Sequence, residues 1–543
     1  MVDIALGKIT QDAFDQHGQD LVDNKIASRQ AAGDATIWGS KAESEASIRL
    51  GWVDLGTTSQ ELVKPILTKR DELKKMGINH IVLCGMGGSS LAPEVITETD
   101  KVELTILDTT DPTQIQMAIS DRLDTTAVVV SSKSGSTLET TSQKSLYEKL
   151  FKDAGIDATE RIIVVTDPGS DLEKSAKKDG YTIFQANPNV GGRYSALTAF
   201  GLVPAGLAGA DIQQLLDDAK EVEAIVKEDS LDNPALKLAC AIGGTKPFRD
   251  KTVLVEDGTD IIGYGNWTEQ LLAESTGKDG TGILPVVVNK GDFEDTHELD
   301  DTVVARIQKT INDSNLKENE FAVAGTLGGQ MALWEAATAI AGYLIGINPF
   351  DQPDVEAAKV AARELLNADP SKVIKPEPVL SDDAIEVYAD SNAAKLIKDS
   401  DTVQHAVFTL LGSVDKKEGY IALQAYLNRL EYPELSQMRA IVPEHVERPV
   451  TFGWGPRFLH STGQYHKGGA PVGVFLQITT EYTKAEDIAI PGLDFTFGEV
   501  IVAQAGGDAN VLDKLGRPVL TLHLKDTKAG IAEIKKIFGI KGK

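Results

Sequence analysis

At 543 residues, with 42% hydrophobic and 25% charged positions, this is a globular sequence too long for one ordinary core, and it predicts two domains. Its formal net charge of −27 argues against nucleic acid or an anionic membrane as partner, so an anionic ligand must be drawn in by a local cationic pocket. No apolar run approaches the roughly 18 residues of a membrane helix, and Met1 to Ala5 lack the basic-then-apolar pattern of a secretory signal.

Taken in order, residues 1–45 are polar with scattered apolar positions and read as a helical arm on the surface. From His80, short apolar runs alternate with helix-like segments. Residues 80–84, 104–108, 127–130, 162–165 and 181–184 read as strands of a parallel sheet covered on both faces, with ligands expected beyond their carboxyl ends. A second series runs through 252–255, 286–288, 420–423, 449–452 and 474–478. Inside it lie a long Ala-rich helix over 321–345 and a Pro-, Asp- and Lys-rich surface excursion at 369–400. The expected class is α/β with two doubly wound, mainly parallel-sheet domains. The arm covers 1–45, the first domain 46–215, and the second 216–543 with a C-terminal extension. Cys84 falls in a strand and Cys240 in a helix-like run. Both read as small buried hydrophobes, which leaves no disulfide framework or metal cluster and fits a reducing, cytoplasmic setting.

The stretch that organises the chain is Ser131-Ser132-Lys133-Ser134-Gly135-Ser136-Thr137, between the Val-rich run and a helix-like segment starting at Leu138. A helix cap needs only one hydroxyl. Several hydroxyls, a Lys and a Gly at a strand-to-helix turn suit a phosphate, which the free amides and the positive dipole end would also hold. Gly85-Met86-Gly87-Gly88-Ser89-Ser90 follows another strand, and with Asp108 further on it admits a dinucleotide reading, although Ser90 stands where the third glycine belongs. Two phosphate-type turns at one sheet edge favour instead a single small phosphorylated ligand, enclosed by Gly88, Ser89 and residues 132–137.

Further motifs add chemistry. In Gly191-Gly192-Arg193-Tyr194-Ser195, two glycines let backbone approach closely and present a guanidinium. Glu274-Ser275-Thr276-Gly277-Lys278 ends a helix-like segment, with Gln270 and Glu274 on one face. A carboxylate there, beside apolar residues, can serve as a base. The Ser-Thr-Gly-Lys run lacks the upstream glycines of a nucleotide-phosphate loop. Residues 348–359 read as a helix start with Pro353 in its first turn, and Gln352 and Lys359 share a face. Residues 457–469 set Arg457, His460, His466 and Lys467 among glycines. No third ligand nearby supports zinc, and proton handling is the better expectation.

Together these motifs resemble glucose-6-phosphate isomerase over about residues 45–525, in two sugar-isomerase (SIS-type) domains. The likeness is greatest to the variant fused behind transaldolase in some bacteria; lacking room for the transaldolase barrel, the chain would be the free-standing isomerase. The 191–195 motif and Phe350-Asp351-Gln352…Val355-Glu356…Lys359 are specific to the family, and 274–278 is similar to its catalytic-glutamate motif. The resemblance implies reversible isomerisation of D-glucose 6-phosphate and D-fructose 6-phosphate through an enediol(ate), in glycolysis and gluconeogenesis, with no cofactor and no metal. It implies that Ser132, Lys133, Ser134 and Thr137, with Gly88 and Ser89, hold the sugar phosphate. Gln352 would contact sugar or phosphate, Arg193 stabilise the enediolate, Glu274 move a proton between C2 and C1, and Lys359 help to open the ring. The family's ring-opening histidine sits in a Gly-Gln-His motif before the Phe-Asp-Gln helix. Here the nearest match, Thr462-Gly463-Gln464-Tyr465-His466, follows that helix and carries an inserted Tyr465. His466 is the first candidate and His460 the second, while His405 mimics the motif without a glycine loop. A homodimer is expected. The alternatives are a related isomerase acting on mannose 6-phosphate or glucosamine 6-phosphate, and a non-catalytic sugar-phosphate sensor.

Overall fold

In the computed structural model, which describes residues 2–311, 316–367 and 377–540, the Val-rich run lies in the strand Thr126–Ser131. Every residue of that strand is buried, because helices cover both faces of its sheet. The sheet is parallel throughout, in the order Thr105–Leu107, His80–Gly85, Thr126–Ser131, Ile162–Thr166, Thr182–Gln185. The chain runs outward from His80–Gly85 to Thr105–Leu107 and then returns to the other side. The turns after His80–Gly85 and Thr126–Ser131 therefore face each other across the crevice where such sheets bind ligands.

The second series, expected to form one domain, divides between two sheets. One is ordered Asp3–Leu6, Glu320–Ala324, Thr302–Gln308, Lys251–Glu256, Leu284–Val288. Its strands are parallel except Asp3–Leu6, which pairs antiparallel with Glu320–Ala324 and closes that edge. The N-terminal segment, expected as a helical arm, thus contributes a strand ahead of the helices Lys8–Asp23 and Ile26–Ala31. The later strands build their own sheet. Its order is Leu380–Ser381, Ile385–Ala389, Val519–Leu524, Gly473–Thr480, Tyr420–Ala425, Val450–Trp454, and the last four are parallel. The α/β class with mainly parallel sheets holds; the number of sheets does not.

The Ala-rich helix begins later than expected, at Leu327–Ile345, because 320–324 is a short β-forming run that pairs into the second sheet. Its residues from Leu327 to Gly342 are all buried, which explains a helix with no polar face. The excursion expected at 369–400 lies partly outside the described residues. From residue 377 it supplies the strand Ile385–Ala389, paired antiparallel with Val519–Leu524.

The third sheet and its helices are packed into the rest of the molecule. Phe497 and Val500 join Val82, Val128 and Val130 in one apolar cluster against the first sheet. Tyr420 and Phe475 join Val253 and Val255 against the second. Fully burying each such side chain stabilises by about 1.5–3 kcal/mol. A buried ion-pair network adds specificity: Arg457 Nη1 lies 2.7 Å from Asp108 Oδ2, Arg457 also contacts Glu94, and Arg429 Nη2 lies 2.8 Å from Glu94 Oε1. Among the described residues no helix is long and apolar enough to cross a membrane.

Candidate active site

The strand Thr126–Ser131 ends in the hydroxyl-rich turn. Gly135 adopts φ +77°, and a Cβ there would meet the Leu172 backbone nitrogen at 2.7 Å, so only glycine fits without strain. Thr137 is extended and starts the helix Leu138–Asp153, and its own side chain makes no capping bond. Ser132 Oγ lies 3.2 Å from Thr137 Oγ1 and accepts the Gly135 N–H at 3.1 Å, and Ser134 Oγ lies 2.8 Å from Ser136 Oγ. These hydroxyls pair with one another and with amides of the turn itself, and can exchange their mutual bonds for an anion's oxygens. Lys133 is placed elsewhere. Its ammonium sits 2.6 Å from Asp167 and donates to the Pro188 carbonyl at 3.2 Å, so it is turned from the hydroxyls it was expected to join. Asp108 is buried, and its Oδ2 is held by Arg457.

Gly88 and Ser89 form a short turn against the Gly192 and His460 backbones. A Cβ on Gly88 would lie 2.0 Å from the Gly192 carbonyl oxygen, which explains the glycine without a ligand. Arg193, in the same contact, is 2% exposed. Its Nε donates to Ser275 Oγ at 2.8 Å and its Nη1 to Gln352 Oε1 at 2.9 Å. Nη2 donates to the Pro349 and Asp351 carbonyls at 2.7 and 3.1 Å, and Nη1 lies 3.3 Å from Glu274 Oε1. The guanidinium is thus saturated by protein groups and acts through its charge.

Glu274 stands near the end of the helix Tyr264–Thr276, and the i,i+4 spacing places Gln270 beside it. Gln270 Nε2 donates both to Glu274 Oε2 and to the His460 carbonyl, each at 2.9 Å. Lys278, read from the sequence only as part of a motif, donates to the Asn348 carbonyl and to Asp351 Oδ1 at 2.7 Å. Burial, and then the charge of Arg193, lower its ammonium to about 8. Arg193 and Lys278 together clamp the loop that carries Gln352 into the helix Val355–Leu366, from which Lys359 projects.

A cleft of about 210 Å³ brings Ser134, Ser136, Thr137, Lys359, His460 and Glu139 together. His460 Nε2 lies 3.2 Å from Glu139 Oε1. Burial works to raise the Glu139 carboxyl, and the hydrogen bond and charge of His460 outweigh it, leaving it below the usual carboxylate value. His466, the first sequence candidate, is not in this cleft. Its ring is fully buried, bonded through Nδ1 to the Tyr420 hydroxyl at 3.0 Å, and stacked on Tyr420. Burial, and then the charges of Lys467 and Arg517, hold it far below the usual histidine range. His405 is exposed on the helix Val403–Gly412 beside Asp401. Gln464 Nε2 donates to the Gly277 carbonyl and to Asp354 Oδ2, at 2.8 and 2.7 Å, and so docks the 457–469 segment onto both the Glu274 and Lys359 elements.

Glu139 carried no signal in sequence. An acid in the first turn of a helix usually serves the helix dipole, and its partner lies 321 residues away. Away from the cleft, His80, Glu103 and Asp121 bring possible ligand atoms within 4.8 Å. Both His80 ring nitrogens already lie 2.8 Å from threonine hydroxyls, and Arg122 pairs with both acids.

The geometry agrees with the comparisons. The family model described as phosphoglucose isomerase matches residues 71–253, which hold the hydroxyl turn and Arg193. A probable glucose-6-phosphate isomerase of Methanococcus maripaludis is 32% identical over 360 residues, 55% of this chain and 82% of that protein. The glucose-6-phosphate isomerase of Mycoplasmopsis pulmonis is 30% identical over 378 residues, 57% of this chain and 88% of that protein. Among solved structures, a hypothetical protein of Thermus thermophilus superposes with a TM-score of 0.56 at 24% identity, covering 67% of this chain and all of that one (100%). The glucose-6-phosphate isomerase of Chlamydia trachomatis superposes at 0.50 with 18% identity, covering 66% of this chain and 85% of that one. These two share the fold. With the first two relatives matched over most of their length, the chain belongs to the phosphoglucose isomerase family.

Proposed function

We infer that the chain catalyses the reversible interconversion of D-glucose 6-phosphate and D-fructose 6-phosphate through an enediol(ate). The observation that carries this is the meeting, around one cleft, of a hydroxyl-lined helix start and a His–Glu pair, with the Arg193-paired carboxylate of Glu274 tied to the His460 backbone through Gln270, in a member of this family. Ser132, Ser134 and Thr137, with the first amides of the helix Leu138–Asp153, take the phosphate. His460, not His466, hands the proton at the ring oxygen, steadied by Glu139, and Lys359 lies on the same cleft wall. Glu274 removes the proton at C2 and returns it at C1, its carboxylate aligned by Gln270 and Arg193. The negative charge that develops on the enediolate is stabilised by the fixed charge of Arg193 in a buried setting. Proton transfer of this kind leaves the substrate's overall oxidation level unchanged, and these side chains account for each transfer.

The test is a coupled assay on the purified chain in the presence of a chelator, with glucose 6-phosphate, mannose 6-phosphate and unphosphorylated glucose. Turnover of glucose 6-phosphate well above the others is expected; its absence overturns the reading. Buried free Cys84 and Cys240 fit the cytoplasmic setting.

A further inference from the structure

The third sheet's helix Phe497–Lys514 sends Gln504 into the wall of the cleft. Gln504 is 7% exposed, and its amide makes two bonds with unlike partners. Its Oε1 accepts the Thr110 hydroxyl at 2.7 Å, and its Nε2 donates to Glu139 Oε1 at 2.7 Å. The same Glu139 oxygen faces His460 Nε2. Thr110 is fully buried, so its hydroxyl has reason to stay on Gln504.

We propose that Gln504 is a positioning residue that orients the Glu139 carboxylate and thereby fixes the tautomer of the neutral His460 ring, with the proton on Nε2 and the lone pair on Nδ1. The proposal rests on the reading of His460 as the proton-handling group. An amide donating into a carboxylate oxygen favours the charged acid. The reversed amide would set Oε1 against that oxygen and demand a protonated Glu139. An ionised Glu139 accepts only, so His460 Nε2 must donate, and the neutral ring keeps its basic nitrogen at Nδ1. Other charges face this pair. Lys359, Glu356 and Arg363 line the cleft from the helix Val355–Leu366, and Glu274 is linked to the His460 backbone through Gln270. Gln504 Nε2 and His460 Nε2 both face the Glu139 oxygen that sets the tautomer. The third sheet region thus supplies both the histidine and the group that orients it.

The test is ¹⁵N NMR of histidine-labelled protein at neutral pH, with His460 assigned by His460→Asn, alongside steady-state kinetics. In the wild type, the neutral form of the His460 ring should carry its proton on Nε2. Gln504→Leu should show a mixture of tautomers and a kcat lowered about tenfold, with KM within about twofold, as expected for losing one hydrogen bond to a charged group. Thr110→Val, which conserves volume and removes the hydroxyl that orients the amide, should move both readouts the same way and serves if Gln504→Leu does not fold. An unchanged His460 signature, or a kcat within about twofold of wild type, overturns the proposal. The tautomer is read without turnover, so a wild type inactive on hexose phosphates would refute the functional reading and leave this result standing.

Discussion

His460 and His466 lie in one glycine-rich segment, and the structure gives them opposite environments. His460 is held at the cleft wall against Glu139, with a partner that can take up charge. His466 is enclosed by Tyr420, Phe458 and Phe475, beside the cations Lys467 and Arg517, where an imidazolium would be expelled. A histidine is a proton carrier only where both of its charge states are tolerated. The difference therefore lies in surroundings that arrive from distant parts of the chain: Glu139 from the first sheet's edge, Tyr420 and Phe475 from the third sheet's core.

The largest effect should come at the carboxylate that His460 and Gln270 help to frame. Glu274→Gln should lower kcat by about 10³–10⁴-fold with little change in KM, measured in the coupled assay, because general base catalysis is removed and shape is kept. Next, His460→Asn should lower kcat by about 10²-fold with an unchanged thermal midpoint, and a loss no larger than that of a His466 variant would break the contrast between the two rings. Lys278→Met should raise KM and lower kcat, together reducing kcat/KM about tenfold, by freeing the loop that carries Gln352. In the wild type, kcat/KM should also decline as pH rises through about 8, where the Lys278 ammonium is lost.

The smallest kinetic effect should be that of His466→Leu, with kcat within about threefold of wild type. Its signature is in stability. The folded-state pKa lies below the ordinary 6.5, so below that pH the unfolded chain binds a proton that the native state does not. Stability present above pH 6.5 is therefore lost as pH falls, and the Leu variant should show a shallower decline in thermal midpoint between pH 6.5 and 5. An identical decline in both proteins would mean that the His466 ring charges in the native state.

Much was legible in the residues alone. The hydroxyl turn, the Gly-Gly-Arg segment, the Glu274 helix end and the Gln352–Lys359 helix are short motifs whose residue types and spacings carry their own chemistry. The Val-rich and Ile-rich runs declared parallel strands because burial on both faces demands apolar side chains at every position. What local sequence could not show was pairing over distance. The division of later strands into a second and a third sheet, and the pairing of Asp3–Leu6 with Glu320–Ala324, join segments far apart in the chain. The turning of Lys133 onto Asp167, and of Asp108 onto Arg457, likewise depends on partners that periodicity does not name.

The sequence by itself determined the class of sheet and supplied the hydroxyls, the carboxylate and the guanidinium that the proposed chemistry uses. Only the tertiary structure separated the two histidines, placing His460 at the cleft and His466 in the core, since burial and neighbouring charge belong to space rather than to order along the chain.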